Sequence, residues 1–262
     1  MMTQRAGNLR FARALRSRPF ALLWVGQTIS ALGDGAYFTA LAWQVLLLTH
    51  SGTAMGLLLV AASVPRLIFL LVGGIAADRL PRRVVLFWSD AGRAVVVLAI
   101  AVLSWTQLLR FWHLIALALL FGFAGAFFAP AYRAMPPQLV ELEALPSANA
   151  LTQLSGQLGG LLGPVLGAGL VALASPASAF AFDGLTFAIS AISLFFVRLH
   201  ARAYRGASGT AEPANAAQSK PRRGISGMLA DLREGLIHIL GSTWLVMTII
   251  IPAFGNVGYS GR

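Results

Sequence analysis

Six apolar stretches, each long enough to cross a bilayer, constrain this chain more than any other feature: roughly Phe20–Leu48, Met55–Ala77, Val84–Leu103, Trp112–Ala131, Ala148–Ala174 and Ala177–Val197. A span needs about 20 mostly apolar residues, because a helix rises about 1.5 Å per residue across a hydrocarbon core about 30 Å thick. Each stretch must be helical, since backbone N–H and C=O groups facing lipid find no water and an open strand edge costs several kcal/mol per group. With 57% hydrophobic and 11% charged residues and a mean hydropathy of +0.74, the composition fits an all-α integral membrane protein. A seventh apolar stretch starts near Trp244 and reaches Arg262 as an incomplete span.

The net charge of +11 would point to nucleic acid in a soluble chain. Here the basic residues fall between apolar stretches, and no basic stripe interleaves with aromatics, so nucleic acid is not an expected partner; the lipid bilayer is. Arg5, Arg10, Arg13, Arg16 and Arg18 precede span one, Arg79, Arg82 and Arg83 follow span two, and Arg133 follows span four. Seven more, Arg198 to Arg233 including Lys220, follow span six, against Arg110 alone on the other side. This bias places the N-terminus in the cytoplasm. The chain has no cysteine and four scattered histidines, so no metal site or cofactor is expected.

Four segments follow: a cytoplasmic N-terminal segment over 1–19, a six-helix bundle over 20–198, a cytoplasmic linker over 199–225 rich in Ala, Gly, Ser, Pro and Arg, and residues 226–262. In the last, Leu229, Leu232, Leu236, Ile239 and Leu240 share a helical face, which suits either an amphipathic lead-in helix or a plain start of span seven. No repeat is visible by residue identity, although three plus three spans permit an inverted one.

The loop "GGIAADRLPRR" (73–83) sets Gly74, Asp78, Arg79, Arg82 and Arg83 at a characteristic spacing. It resembles the signature cytoplasmic loop of the major facilitator superfamily, with Pro81 where that family usually has glycine. The stretches "RPFALLWVGQTISALGD", "VPRLIFLLVGGIAADR", "SDAGRA", "FFAPAYRAMPPQLV" and "LPSANALTQLSGQLGGLLGPVLGAGL" are together similar to the exporter branch holding macrolide-efflux and enterobactin-exporter proteins. The resemblance covers most of 18–200 and implies the N-terminal half of a major-facilitator fold in a bacterial inner membrane. In that loop Gly74 is expected to let helices approach, and Asp78 to end span two while pairing with nearby arginines.

In span five, Gly159, Gly163 and Gly167 recur every four residues beside a second row, Gly156 and Gly160. Such a face admits close helix packing. With Pro164 it is also similar to the glycine–proline motif that the family associates with antiporters, Ala168 replacing its second glycine; a packing face without directional meaning stays open.

Charges within the spans are costly and need a reason. Asp34 lies about 21 Å into span one and Arg66 about 18 Å above the same side on span two, at 1.5 Å per residue. The matching depths lead to an expected Asp34–Arg66 ion pair. Gln27, Ser30, Asp34 and Tyr37 share one helical face and are candidates for lining the interior cavity. Asp34 has two readings, a structural partner of Arg66 or a proton carrier. Asp90 and Arg93 are three apart on span three, either a local pair or a cytoplasmic gate network with the 73–83 loop. Asp183 receives no role beyond a contact near the outer end of span six. Trp24, Trp43, Trp105 and Trp112 read as interfacial anchors. Phe121, Phe123, Phe127 and Phe128 would line a cavity, face lipid or pack.

The resemblance implies a secondary transporter, and the expectation is an exporter of drug-like or siderophore-like small molecules coupled to protons, working by alternating access with a second six-helix half. Alone it is expected not to transport. A proton-independent facilitator, an importer and a non-transporting membrane scaffold remain alternatives, whereas no protease, zincin or hydrolase motif supports an enzyme. The topology is directly testable because any introduced cysteine is unique. In intact cells a membrane-impermeant thiol reagent should label Leu108→Cys and spare Leu80→Cys; the reverse pattern would invert the bundle.

Overall fold

The computed structural model describes residues 13–197. The linker expected over 199–225 and the segment 226–262 lie outside the described residues, as do Arg5 and Arg10. Six long helices carry the expected spans: α1 Arg18–Thr49, α2 Gly52–Arg79, α3 Arg82–Trp105, α4 Phe111–Arg133, α5 Leu145–Leu173 and α6 Pro176–Phe196. α1 to α4 outrun their apolar stretches by one to three residues at each end, since a helix continues through the interface until a turn residue or cap stops it, whereas α5 starts three residues early and ends one early and α6 is shifted by one. Pro19 and Pro176 sit in first turns, where a missing N–H costs nothing. His50, in the left-handed region at φ 50°, closes α1, its N–H donating to the Leu46 carbonyl.

Packing reveals the repeat that residue identity hides. α1 lies along α5 and α6, α4 lies along α2 and α3, and α3 packs on α6. Exchanging α1, α2, α3 with α4, α5, α6 maps this pattern onto itself. Because α1 and α4 cross in opposite directions, the two halves form an inverted three-helix repeat. α2 and α5 are equivalent outer members, each held chiefly by one neighbour.

Both equivalent seams, α1–α5 and α2–α4, are built on glycine. A Cβ on Gly159 would lie 2.5 Å from the Ala31 carbonyl oxygen, one on Gly163 2.6 Å from the Gly35 Cα, and one on Gly167 2.6 Å from the Ala36 carbonyl oxygen. Across the second seam, a Cβ on Gly73 would meet the Ala126 carbonyl oxygen at 2.4 Å and one on Gly122 the Ala62 carbonyl oxygen at 2.0 Å. Helices in lipid gain little from burying apolar surface, so backbone-to-backbone approach supplies the attraction instead. The expected second row on α5 is not used: nothing comes within 4 Å of a Cβ at Gly156 or Gly160. Gly74, expected to permit approach, is also open, and its neighbour Gly73 takes that part.

Two apolar clusters fill the bundle interior. One gathers Tyr37, Leu41, Val45, Leu58, Val97, Ile100, Leu114, Phe180 and Phe187. The other, toward the end holding the 79–83 turn, gathers Phe20, Leu23, Ala77, Leu86, Met135, Leu151 and Leu194. Between them on α1, α3 and α6 lie the polar residues Gln27, Ser30, Ser89, Asp90, Arg93, Asp183, Thr186 and Ser190, all buried.

The seams set a stability test. Gly122→Ala should destabilise the purified protein by about 1–3 kcal/mol, the range for forcing an extra methyl into a packed contact. Gly160→Ala should stay within about 0.5 kcal/mol, as expected of an unconfined site. Equilibrium unfolding in mixed micelles distinguishes the two.

Candidate functional site

The buried polar layer is the candidate site, and its centre is a single guanidinium. Arg93 is 5% exposed and lies between two aromatic faces, its Cζ 4.2 Å from the Phe128 ring centroid and 4.4 Å from that of Phe187. Its Nη2 donates to Asp90 Oδ1, one turn earlier on α3. Rings on both faces offer their negative quadrupoles to the cation, and the carboxylate balances it at the edge. The other oxygen, Asp90 Oδ2, accepts from Gln27 Nε2 at 2.9 Å and from Ser190 Oγ at 2.7 Å; Gln27 Nε2 also lies 2.8 Å from Ser190 Oγ. Four helices, α1, α3, α4 and α6, therefore meet on one neutral pair. Of the two readings of Asp90 and Arg93, the structure shows the local pair, with no contact to the 73–83 loop among the described residues.

A second acidic group lies on α6 two turns before Ser190. Asp183 is wholly buried; its Oδ1 is 3.3 Å from the Thr186 hydroxyl, and its Oδ2 has no hydrogen-bond partner. Gly33 makes room for it, since a Cβ there would come within 2.4 Å of Asp183 Oδ1 and 2.1 Å of Thr186 Oγ1. The next residue in the chain, Asp34, is half-buried and makes no hydrogen bond or ion pair among the described residues. Asp34, Asp90 and Asp183 all lie within electrostatic reach of Arg93, and Asp34 and Asp183 of each other. Three carboxylates thus share one buried cation, and Asp90 holds it.

The expected Asp34–Arg66 ion pair is not formed. α1 commits its packing faces to α5 and α6, α2 is held by α4, and Arg66 stays exposed on α2. Gln27, Ser30 and Tyr37 do face the interior, but they are packed there: Tyr37 stacks on Phe121 at 5.3 Å and meets Phe180 edge-on at 5.8 Å. Phe121 and Phe128 are partly buried and pack against the two apolar clusters. Phe123 and Phe127 instead line an apolar crevice of 430 Å³ between α3 and α4, together with Leu80, Val84, Trp88 and Gly92. Trp24 also departs from expectation, its indole N–H donating to the Leu151 carbonyl at 2.8 Å across the α1–α5 seam. Trp43, Trp105 and Trp112 remain exposed near helix ends.

The loop arginines do not pair with Asp78, which is exposed. Arg82 donates to the Ala134 carbonyl at 2.6 Å and to that of Ala77 at 3.4 Å, and Arg83 donates to the Phe195 carbonyl. They reach the C-terminal ends of α4, α2 and α6, where unpaired carbonyls concentrate partial negative charge. Arg79 is exposed beside them. Gly159, Gly163, Pro164 and Gly167 belong to the α1–α5 seam, Pro164 Cδ lying where a Cβ on Gly35 would come within 3.0 Å. Sequence reasoning did not single out Gly33, Thr186 or Ser190, and assigned no role to Asp183. The signal was present: Asp183, Thr186 and Ser190 recur at helical spacing as the polar face of an otherwise apolar span.

Removing one partner of a buried pair strands the other charge. Asp90→Ala should therefore cost about 3–5 kcal/mol in unfolding equilibria, and Asp90→Leu combined with Arg93→Met should recover most of it. A double variant as unstable as the single one would mean that the pair itself, not its stranded charge, sets the cost.

The profile of the transmembrane secretion effector family, MFS_3, matches residues 11–212. Among curated proteins, the uncharacterized MFS-type transporter YfiS of Bacillus subtilis is 28% identical over 232 residues, covering 88% of this chain and 51% of that protein. The enterobactin exporter EntS of Salmonella typhimurium is 32% identical over 163 residues, 60% of this chain and 38% of the exporter. The counterpart from Salmonella choleraesuis is 30% identical over 159 residues, covering 60% and 38%. The chain thus spans about half, or less, of the length of these relatives. No solved structure matches it.

Proposed function

We propose proton-coupled export for this chain, which belongs to the transmembrane secretion effector family of the major facilitator superfamily. As a member of that family it is a multi-pass membrane transporter protein. In our reading the described helices form the N-terminal one of two bundles that rock against each other, with the substrate held near the midplane between them. The N-terminus is cytoplasmic and the membrane is the bacterial inner membrane. The cargo is a drug-like or siderophore-like small molecule; the similarity to enterobactin exporters favours the second class.

One observation carries the coupling. Asp34 is a half-buried carboxyl with no hydrogen bond or ion pair among the described residues, at the edge of a layer whose buried cation is already held by Asp90. A structural acid would be expected to have its lone pairs satisfied, as those of Asp90 are. A carrier must exchange its proton, so it needs access to water in at least one state and a weak hold on any fixed cation. Asp34 meets both conditions. Asp183, behind Gly33, adds a second acid whose field disfavours two simultaneous negative charges. Arrival of a proton at Asp34 and departure of the substrate would then be linked through one local charge balance.

The test is Asp34→Asn in the full-length gene product reconstituted in proteoliposomes, with ethidium as the transported probe. An imposed pH gradient should drive ethidium movement in the parent protein and at least about tenfold less in the variant, a loss of about 1.4 kcal/mol or more in driving interaction. Ethidium exchange without a gradient should persist. Unchanged gradient-driven movement would remove Asp34 from the coupling step.

A further inference from the structure

α2 has three distinct faces. Leu58, Ala61, Pro65, Gly73 and Ala77 are buried, and this is the face that α4 covers. On the far side Val60, Val64, Leu67, Ile68 and Leu71 form an exposed stripe of large aliphatic groups, Leu67 and Ile68 being 69% and 63% exposed, as suits contact with acyl chains. Arg66 belongs to neither. It lies on the boundary with Leu59, Ser63 and Leu70, which recur three or four residues apart along one flank, and it is exposed.

An exposed arginine deep in a span is intolerable against lipid and must meet water, an anion or both. Asp34 does not neutralise it, because the two form no ion pair, yet Asp34 lies within its electrostatic reach, so this flank of α2 is the one turned toward α1. The only other guanidinium deep in a described span, Arg93, is buried and already held by Asp90 between two phenyl rings. Arg66 is therefore the free deep cation among the described residues, set between leucines on a helix that otherwise offers apolar surface.

We propose that Arg66 is an anion-recognition residue of the transport path, binding the carboxylate of an amphipathic organic acid whose apolar body lies along Leu59 and Leu70. This rests on the transporter reading above only in taking the α1-facing flank of α2 as the path. Among the cargo classes it singles out, as those that Arg66 binds, molecules carrying an ionised acidic oxygen, because a planar guanidinium presents paired donors matched to a carboxylate. The apolar neighbours exclude competing water and supply the area for the rest of the ligand.

The experiment exploits the absence of cysteine from the chain. In nanodiscs holding the full chain, Ser63→Cys reports on the flank through its rate of reaction with a charged, water-borne methanethiosulfonate. Dansylglycine and dansylamide are the probes, alike in ring system and different in the carboxylate. Dansylglycine should slow the labelling by about tenfold where dansylamide does not, the discrimination expected of one charge-assisted bidentate contact. Adding Arg66→Gln should abolish the difference, and Arg66→Lys should retain part of it. Absence of labelling at Ser63→Cys would put the flank in lipid and overturn the proposal. So would equal protection by both probes, or protection that survives Arg66→Gln. The measurement is made at equilibrium without a gradient, so a failure of proton coupling at Asp34 would leave its outcome untouched.

Discussion

A guanidinium withdrawn from water inside a bilayer dictates much of what surrounds it. Arg93 cannot shed its charge, so the bundle must bring the compensation to it. The Asp90 carboxylate supplies the opposite charge, Phe128 and Phe187 supply two aromatic faces, and Gln27 and Ser190 occupy the second carboxylate oxygen. Because these groups come from α1, α3, α4 and α6, the demand of one side chain fixes the register of four helices. A slip of α6 by one residue would rotate Ser190 about 100° away from Asp90, and an oxygen now paired would be left bare. In a purely apolar bundle such a slip would cost little, since lipid and leucine are nearly equivalent neighbours.

The arginine layer sets register, and glycine sets distance. The α1–α5 and α2–α4 seams are equivalent under the inverted repeat, and both bring backbone against backbone. Their equivalence matters for motion. Seams held by short-range contact between backbones resist deformation, because any separation forfeits the contacts at once. At the end holding the 79–83 turn, Arg82 and Arg83 tie together the carbonyl ends of α2, α4 and α6. That arrangement explains why closely spaced basic residues belong at this turn even though Asp78 does not pair with them: the helix ends converging there are themselves the anionic partners.

The spans and the glycine row of α5 were legible because hydropathy and spacing are properties of one helix. The charge layer was only half legible. Asp90 and Arg93, one turn apart, could be paired from the sequence, whereas Ser190 lies 100 residues from Asp90 and its contact depends on how α3 and α6 face each other. Matching depth misled for Asp34 and Arg66, since depth places two residues in one plane without saying which way each faces. Gly73 and Gly122 belong to no row of glycines four residues apart, yet they do for α2–α4 what the visible row does for α1–α5. A single glycine has meaning only once its partner backbone is known.

The missing Asp34–Arg66 pair is the more informative outcome. Had the two met, each would have neutralised the other, and a fixed pair would have locked α1 against α2 with nothing left to exchange. Kept apart, Asp34 and Arg66 remain without an ion-pair partner among the described residues, on one side of a bundle whose deep arginine is already held by Asp90. Desolvating both would be expensive, so this side is stable only while water, a proton or an ionic ligand attends it. The stabilising partner then has to come from outside these six helices. A bundle closed by glycine seams and ordered around the Asp90–Arg93 pair leaves Asp34 and Arg66 unpaired among the described residues along one flank, so that flank is where a proton or an ion from outside can change the energy of the fold.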